Sequence, residues 1–584
     1  EAVWPYQYAG TMGLVQRRSI QRLTRAFGFS RQEETICSTA GKTGWMAAVG
    51  RYFGVDPMEM AKSDRIVIWG GNPVATQIQT WRVATAARKA RGTRIICVDP
   101  YRTKTAEGAD WHIAPRPGTD GALAVAMAHV ILRDGLADRD FLARLTDFDA
   151  EVESHYAERG PDWGEAITGI PAADIEAFAR EFAASKSSFL RIGFGFSRGR
   201  NGSANMHAVV CLAALTGAWG ETGGGALFSM SGLFKVDFSA IEAHELGQKK
   251  TRMLDMSRIG PVLLGERDAL GDGPPVAAML IQNTNPAAVA PETAKVLKGF
   301  AREDLFLCVH EQFLTETARF ADVVLPATTF LEHDDLYLAG GHTTLQVALR
   351  VLEPLGNARE NLFVVNELAK RLGADHPTFS KTARNLVDET LSLSGLPDAE
   401  TILAQGGQDC ARDWDDHHYA KGFGHADGRF HFRPNWPAWG QHRPAELPQL
   451  PDHAPVTEEA DAEHPFRLVT APAHNFLNTS FTETPGSVKL TERPRVFVTP
   501  GDAKRLGIGE GDRVRLGNRR ADIALHASLR DGQQDGTLVV ESIWPNAAFE
   551  EGLGINALVG ADPVLPGGGA AFHDCAVWMR PESL

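Results

Sequence analysis

The sequence predicts an α/β fold: two doubly wound α/β domains related as a pseudo-repeat, followed by a C-terminal β-barrel. Three observations predict it. Short apolar runs ending in Gly, Asn or Pro alternate with helical stretches over most of the chain, as expected of buried parallel strands joined by crossover helices. One frame of residues also occurs twice. IVIWGGNPVATQ is followed by RIICVDPYRTKTAEGADWHIAPRPGTD, and MLIQNTNPAAVAP by LFLCVHEQFLTETARFADVVLPATTFLE. From Asn72 to Asp110 is 38 positions and from Asn285 to Asp322 is 37, so an N-P … T-x-T-A-x-x-A-D frame keeps its spacing. Finally, from Phe466 the texture changes to short strands parted by turns, most simply a small barrel.

Taken in order, residues 1–32 open with the glycine-punctuated Tyr8-Ala9-Gly10-Thr11-Met12-Gly13 and a helix from Gln16 to Phe27. Together with 228–400 they form the domain of the second half-site. The first half-site lies in a domain of residues 33–227. There Thr35 to Trp45, rich in small residues, leads into an apolar helix at Met46–Val49. A strand at 66–69, a helix at 76–91, a strand at 94–98 and a helix at 119–134 follow, and 141–187 reads as largely helical. Leu190–Phe196 is a strand running into glycine, and the helix after Asn201 ends at Leu215. The second half-site occupies 277–337, with a helix at 360–372 after it. Residues 401–462, polar and rich in His, Asp, Pro and Trp, read as an irregular linker, and 463–584 as the barrel.

Composition bounds the partners. At 584 residues the chain has ample core for several domains. A net charge of −14 argues against a nucleic-acid or anionic-membrane surface. No run approaches the roughly 18 apolar residues of a membrane helix. There is no initiator Met and no signal-peptide pattern, and Glu1-Ala2-Val3-Trp4 looks like the end of an element already under way. The six cysteines include no C-x-x-C pair, which fits a reducing compartment. The expected location is cytoplasmic, or periplasmic if a leader precedes residue 1.

The repeated frame has a chemistry of its own. In an open α/β sheet, ligands sit at the carboxyl ends of strands, where Gly70-Gly71-Asn72-Pro73 and Asn283-Thr284-Asn285-Pro286 fall. Glycine lets backbone N–H groups approach a phosphate, and Asn offers both a donor and an acceptor. Asp99 and Asp120 supply carboxylates suited to ribose hydroxyls or the N1–H/N2–H edge of guanine. The alternative is ordinary turn chemistry, which two copies in register disfavour.

On these residues the chain resembles the molybdopterin oxidoreductases of the dimethyl sulfoxide reductase type. WGGNP, VDPYRTKTAEGAD with RPGTDGAL, LTGAWGETGGG, TNP, TETARFADVVLPATTFLE, DAKRLGIGEGDRVRL and GLGINAL carry the resemblance over nearly the whole chain. It implies molybdenum or tungsten held between two molybdopterin guanine dinucleotides, and a two-electron or oxygen-atom-transfer reaction on a small substrate. By position, Gly71, Asn72, Asp99 and Asp120, with the Pro117-Gly118 turn, would hold one dinucleotide. Asn285, His310, Thr317 and Asp322 would hold the other, although Asp322, like its counterpart Asp110, could instead only order the local turn. His474, Asn478, Ser480 and Asn556 would contact the pterins from the last domain. Cys37 takes the place at which family members present a ligand to the metal, and a thiolate is a soft donor suited to it; the alternative is a buried thiol, with Ser38 or no side chain as ligand. His342, in a glycine-flanked loop, is the candidate for the substrate funnel.

Two departures bear on the activity. The N-terminal cysteine cluster that binds an iron–sulfur centre in many relatives is not encoded in this chain as given, so electrons would pass through a partner subunit or another route. Cys37 is followed by Ser38, not the His typical of formate dehydrogenases, and after Glu332 the loop reads YLAGGHTTLQ without paired basic residues. Both nitrate and formate are thereby disfavoured as substrates. Of the rival classes, a nucleotide-dependent dehydrogenase would need G-x-G-x-x-G, which WGGNPVATQ lacks. The other is a non-catalytic scaffold subunit that keeps the fold without the metal.

Overall fold

The computed structural model describes residues 1–582. Five parallel strands form one sheet, in the order Trp111–Ile113, Arg94–Val98, Arg65–Trp69, Ser188–Ile192, Gly225–Leu227. Their apolar runs are buried on both faces, which is why they read as continuous rather than alternating. The core they share with helices such as Asp120–Arg133 and Gly202–Leu215 is the largest in the molecule. Trp69 pairs with Val98 and Ile192, and Val98 with Ile113, so the carboxyl ends line up along one edge. From the central strand Arg65–Trp69 the chain goes first to one side, at Arg94–Val98, and later to the other, at Ser188–Ile192. That reversal opens a crevice at the end of Trp69.

The second sheet is also parallel, in the order Val3–Gln7, Ala278–Gln282, Phe306–Glu311, Val323–Pro326. Its central strand again sends the chain to one side, and the strand on the other side comes from the start of the chain. Thus Ala278–Gln282 matches Arg65–Trp69, and Val3–Gln7 takes the place of Ser188–Ile192. Beyond these, Asp335–Tyr337, Thr344–Ala348 and Gln408–Asp409 make a small antiparallel sheet. Six strands between Phe466 and Pro581 close a barrel with its own core. Among the described residues no helix is long and apolar enough to cross a membrane.

Three local expectations are corrected. The helix expected over Gln16–Phe27 is two helices, Leu14–Arg18 and Gln21–Phe27. Polar anchors decide the break: the Gln16 side chain donates to Glu360 and accepts from Leu362 N, while Arg22 turns inward to Thr378. The helix placed at Met46–Val49 already starts at Thr39. Residues 401–462 are not a linker. Tyr419, Phe423, Phe430 and Phe432 are buried in the largest core, with Tyr419 and Phe423 against Trp219. The polar composition there misleads because His417 and His418 bond inward, to the carbonyls of Gly54 and Trp219.

Candidate active site

Both sheets end in the same turn. Asn72 has φ −119°, ψ 70° and Asn285 φ −120°, ψ 69°, each followed by a proline that opens a short helix. Asn72 Oδ1 accepts from Thr105 N (3.3 Å) and Oγ1 (2.7 Å), and Asn285 Oδ1 accepts from Thr317 N (3.1 Å) and Oγ1 (2.7 Å). Each threonine oxygen accepts in turn from the residue two beyond its asparagine, Val74 N (3.1 Å) or Ala287 N (3.0 Å). In each copy a glycine N–H from across the crevice closes the strand end: Gly195 N donates to Gly70 O (2.9 Å), Gly10 N to Asn283 O (2.8 Å). The sequence repeat is therefore a repeated hydrogen-bond network. It also shows that Thr317, fully buried, holds the turn and is not free to grip a ligand.

In the first crevice the facing backbones nearly touch. A Cβ on Gly193 would stand 2.1 Å from Gly70 O and 2.4 Å from Gly71 Cα, so only glycine fits and a side-chain-free ledge results. On the far side of the central strand end stand Asp99, buried, and Asp120, half-buried. Trp69 Nε1 donates to Asp120 Oδ1 (2.8 Å). Burial, with Asp120 adding to it, pushes the Asp99 carboxyl up to about 8, and burial raises Asp120 as well. Among the described residues no cation is paired with either group. The Pro117-Gly118 turn is fixed by Asn201 Nδ2, which donates to Gly118 O (2.8 Å), and it presents Asp120 as the first residue of its helix. Neutral N–H and O–H donors suit such a carboxylate pair, and a phosphate suits the glycine ledge. The donor set fits a guanine dinucleotide.

The second crevice needs two corrections. Asp322 does not face it: Asp322 Oδ2 accepts from Leu307 N (2.8 Å) at the amino end of the strands, as Asp110 Oδ2 does from Ile95 N (2.8 Å). Both aspartates order the turn into the third strand. His310 is buried with both nitrogens engaged: Gln282 Nε2 donates to Nδ1 (3.0 Å), and Nε2 bonds Arg359 O (3.0 Å). Burial pulls it down to about 4, so it is a neutral brace. By register, Val98 pairs with Trp69 as His310 pairs with Gln282, so the counterpart of Asp99 is Glu311. Burial pushes Glu311 up to about 7, with Glu483 of the barrel adding to it. Sequence reasoning passed over it. The signal was there: 27 positions separate Asn72 from Asp99 and 26 separate Asn285 from Glu311, the same one-residue shortening seen at Asp322.

The barrel touches both crevices. His474 and Asn72 line one cavity of about 110 Å³ together with Tyr101, Arg530 and Glu541. Asn556 Nδ2 is spent on the carbonyls of Ala288 (3.0 Å) and Val289 (3.1 Å), locking the barrel onto the second Asn-Pro turn. Asn478 and Ser480 sit on an exposed tight turn, Asn478 at φ 52°, closed by the backbone bonds between Leu477 and Ser480.

Cys37 is half-buried and directly precedes Ser38, the N-cap of Thr39–Val49. Arg198 Nη1 donates to the Cys37 carbonyl (2.6 Å). Burial, with the Cys37 thiol nearby adding to it, raises the Tyr8 phenol well above its usual range. The His342 loop reaches this place through Gly340, whose carbonyl accepts from Met230 N (2.8 Å). His342 itself is exposed and only caps its own turn, accepting from Thr344 N (3.2 Å). Among the described residues no group of three or more His, Cys, Asp or Glu side chains gathers to cage a metal, so a metal at Cys37 would take its remaining ligands from a cofactor.

Comparison with known proteins agrees with this geometry. The molybdopterin oxidoreductase family model matches residues 12–371, and the molydopterin dinucleotide binding domain matches 466–576. The chain is 33% identical to the probable oxidoreductase YoaE of Bacillus subtilis over 99% of its own length and 84% of that protein's. It is 28% identical to trimethylamine-N-oxide reductase of Haemophilus influenzae, over 83% of its own length and 66% of that protein's. Acetylene hydratase from Pelobacter acetylenicus superposes with a TM-score of 0.77 at 19% identity, covering 100% of this chain and 86% of that one, a likeness of fold. The duplicated strand-end site and the closed barrel thus belong to an oxidoreductase, and the chain is a member of the molybdopterin oxidoreductase family, of the dimethyl sulfoxide reductase type.

Proposed function

We propose that this enzyme holds molybdenum or tungsten between two molybdopterin guanine dinucleotides, with Cys37 as the protein's ligand to the metal, and carries out two-electron chemistry on a small substrate. The observation that supports it is the repeated Asn-Pro network at the carboxyl edges of two parallel sheets, with the barrel against both. A bound metal–pterin group would supply the redox step; the protein supplies binding and orientation. Asp99 and Asp120 accept from one guanine and its ribose, and Glu311 takes the equivalent part in the second crevice. The Gly70–Gly71 and Gly193 backbones flank the diphosphate. Cys37 donates sulfur, with Arg198 holding its carbonyl. His474 contacts the first dinucleotide from the barrel. F420-dependent formate dehydrogenase of Methanocaldococcus jannaschii, whose alpha subunit is 26% identical over 83% of this chain, is a protein with subunits; by that likeness electrons reach this site through a partner subunit.

The test is metal and nucleotide analysis of the purified protein, with X-ray absorption at the metal edge. One molybdenum or tungsten and two guanine nucleotides per chain are expected, and Cys37→Ala should lose one sulfur scatterer while keeping both nucleotides. Absence of metal and guanine nucleotide favours the scaffold reading and overturns this one; an unchanged sulfur shell in Cys37→Ala removes the ligand assignment.

A further inference from the structure

Arg191 lies on the strand Ser188–Ile192, one residue short of the first crevice, and is 3% exposed. Its Nη1 donates to the carbonyls of Ile192, Leu227 (3.1 Å) and Phe228 (3.1 Å), and Nη2 donates to Gln77 Oε1 (2.5 Å). Its Nε–H has no partner among the described residues. Burial alone pulls the guanidinium down to about 10, with no carboxylate near enough to hold it up. Arg467, by contrast, has Asp574 at 3.2 Å, while Arg22, bonded to Thr378, is pulled down by burial as Arg191 is. A buried cation without an anion is costly, and carbonyl dipoles return only part of that cost.

The groups around Arg191 say where its anion sits. Phe228 follows the last strand of the sheet, and Gln77 closes the short segment after Asn72-Pro73, so both stand at the carboxyl edge. The acceptors of the guanidinium therefore lie in the layer of strand ends, the same edge that carries Gly70, Gly71 and Gly193. The repeat supplies an internal control. Arg191 pairs with Ile68 as Tyr6 pairs with Ile281, so its counterpart in the second half is a neutral phenol, which donates to Met256 O (3.1 Å).

We propose that Arg191 is the counter-charge for a phosphoryl oxygen of the first dinucleotide's diphosphate, seated over the glycine ledge. At the matching register position of the second half the neutral Tyr6 stands instead. The assignment rests on the reading above that the first half-site holds a guanine dinucleotide. Arg191 acts on the cofactor's binding, not on the reacting atoms.

The test compares guanine nucleotide released on denaturing the purified holoenzyme and its Arg191→Gln and Arg191→Lys variants. Wild type and Arg191→Lys are expected to release two nucleotides per chain and Arg191→Gln one, the remaining one coming from the second half-site. Two nucleotides from Arg191→Gln overturn the proposal, including the case in which only the substrate KM rises, which would assign the charge to a substrate. Equal loss in the Lys and Gln variants also overturns it, since that marks a structural brace. If Arg191→Gln does not fold, phosphorus NMR of the Arg191→Lys holoenzyme decides: displaced resonances from one dinucleotide only support the proposal, and unmoved resonances reject it. Wild type releasing no guanine nucleotide would instead remove the functional reading on which the proposal stands.

Discussion

Asp99 and Asp120 share the carboxyl edge of the first sheet with no cation paired with either among the described residues, and this sets a pH dependence. In an unfolded chain an aspartate titrates near about 4; burial holds folded Asp99 up at about 8. The folded, cofactor-free chain therefore prefers the neutral acid. Its contribution to stability is full below the unfolded value and is lost as pH rises through about 8. Guanine and ribose donors select the carboxylate, so binding draws the proton off. Dinucleotide affinity should rise as pH climbs to about 8 and then level, with proton release measurable by calorimetry in buffers of different ionisation enthalpy. Asp99→Asn should flatten that slope, and an unchanged slope would show that another group titrates. Asp99 and Asp120 were legible because each sits in a short motif. Glu311 was not, because it lies in no such motif: only strand register pairs it with Asp99, and it directly follows His310 in the strand Phe306–Glu311.

At the scale of elements, the strands were the most legible part. Arg94–Val98 is a continuous apolar run closed by an aspartate, and burial on both faces leaves no other reading. Elements held by distant polar groups were not legible. The helix Leu14–Arg18 has no side-chain cap of its own at Gly13. Instead Asp335, more than three hundred positions away, accepts from Val15 N (2.7 Å) and Gln16 N (3.2 Å), and also from Leu336 N (2.7 Å). Nothing within Gly13–Arg18 announces that partner. The carboxylate serves as a cap in trans and ties the loop after Tyr8 to the strand Asp335–Tyr337. Asp335→Ala should leave three buried N–H groups unpaired and cost about 1–3 kcal/mol. Denaturant unfolding measures that loss, and hydrogen exchange should localise it to Val15 and Gln16. A variant as stable as wild type, with those amides still protected, would mean that water or a neighbour replaces the carboxylate.

Over the whole molecule, the barrel is bonded to both α/β sheets. It is pinned to the second crevice by Asn546 and Asn556, through Glu316 and the carbonyls of Ala287, Ala288 and Val289. To the first it is joined by Gln534, whose Nε2 donates to Ala114 O (2.7 Å) and Thr168 O (2.8 Å). Its glycine-rich tail also reaches the Cys37 loop, where a Cβ on Gly569 would stand 2.5 Å from Thr35 O. The segment from His474 to Thr491 is different. The helix Pro485–Thr491 buries none of its residues, and Leu477, Phe481 and Leu490 are exposed. Its own contacts therefore hold it weakly, and its order depends on what lies against His474. A dinucleotide at the Asn72–His474 cavity would cover one side of this segment and raise the free energy of opening it. Limited proteolysis of cofactor-loaded and cofactor-stripped protein should therefore differ first between His474 and Thr491, with cleavage there slowed by loading. The tail around Gly569, already packed on Thr35, should resist in both forms. Equal cleavage of the 474–491 segment with and without cofactor would detach His474 from the site and leave the cofactor to the two α/β sheets alone.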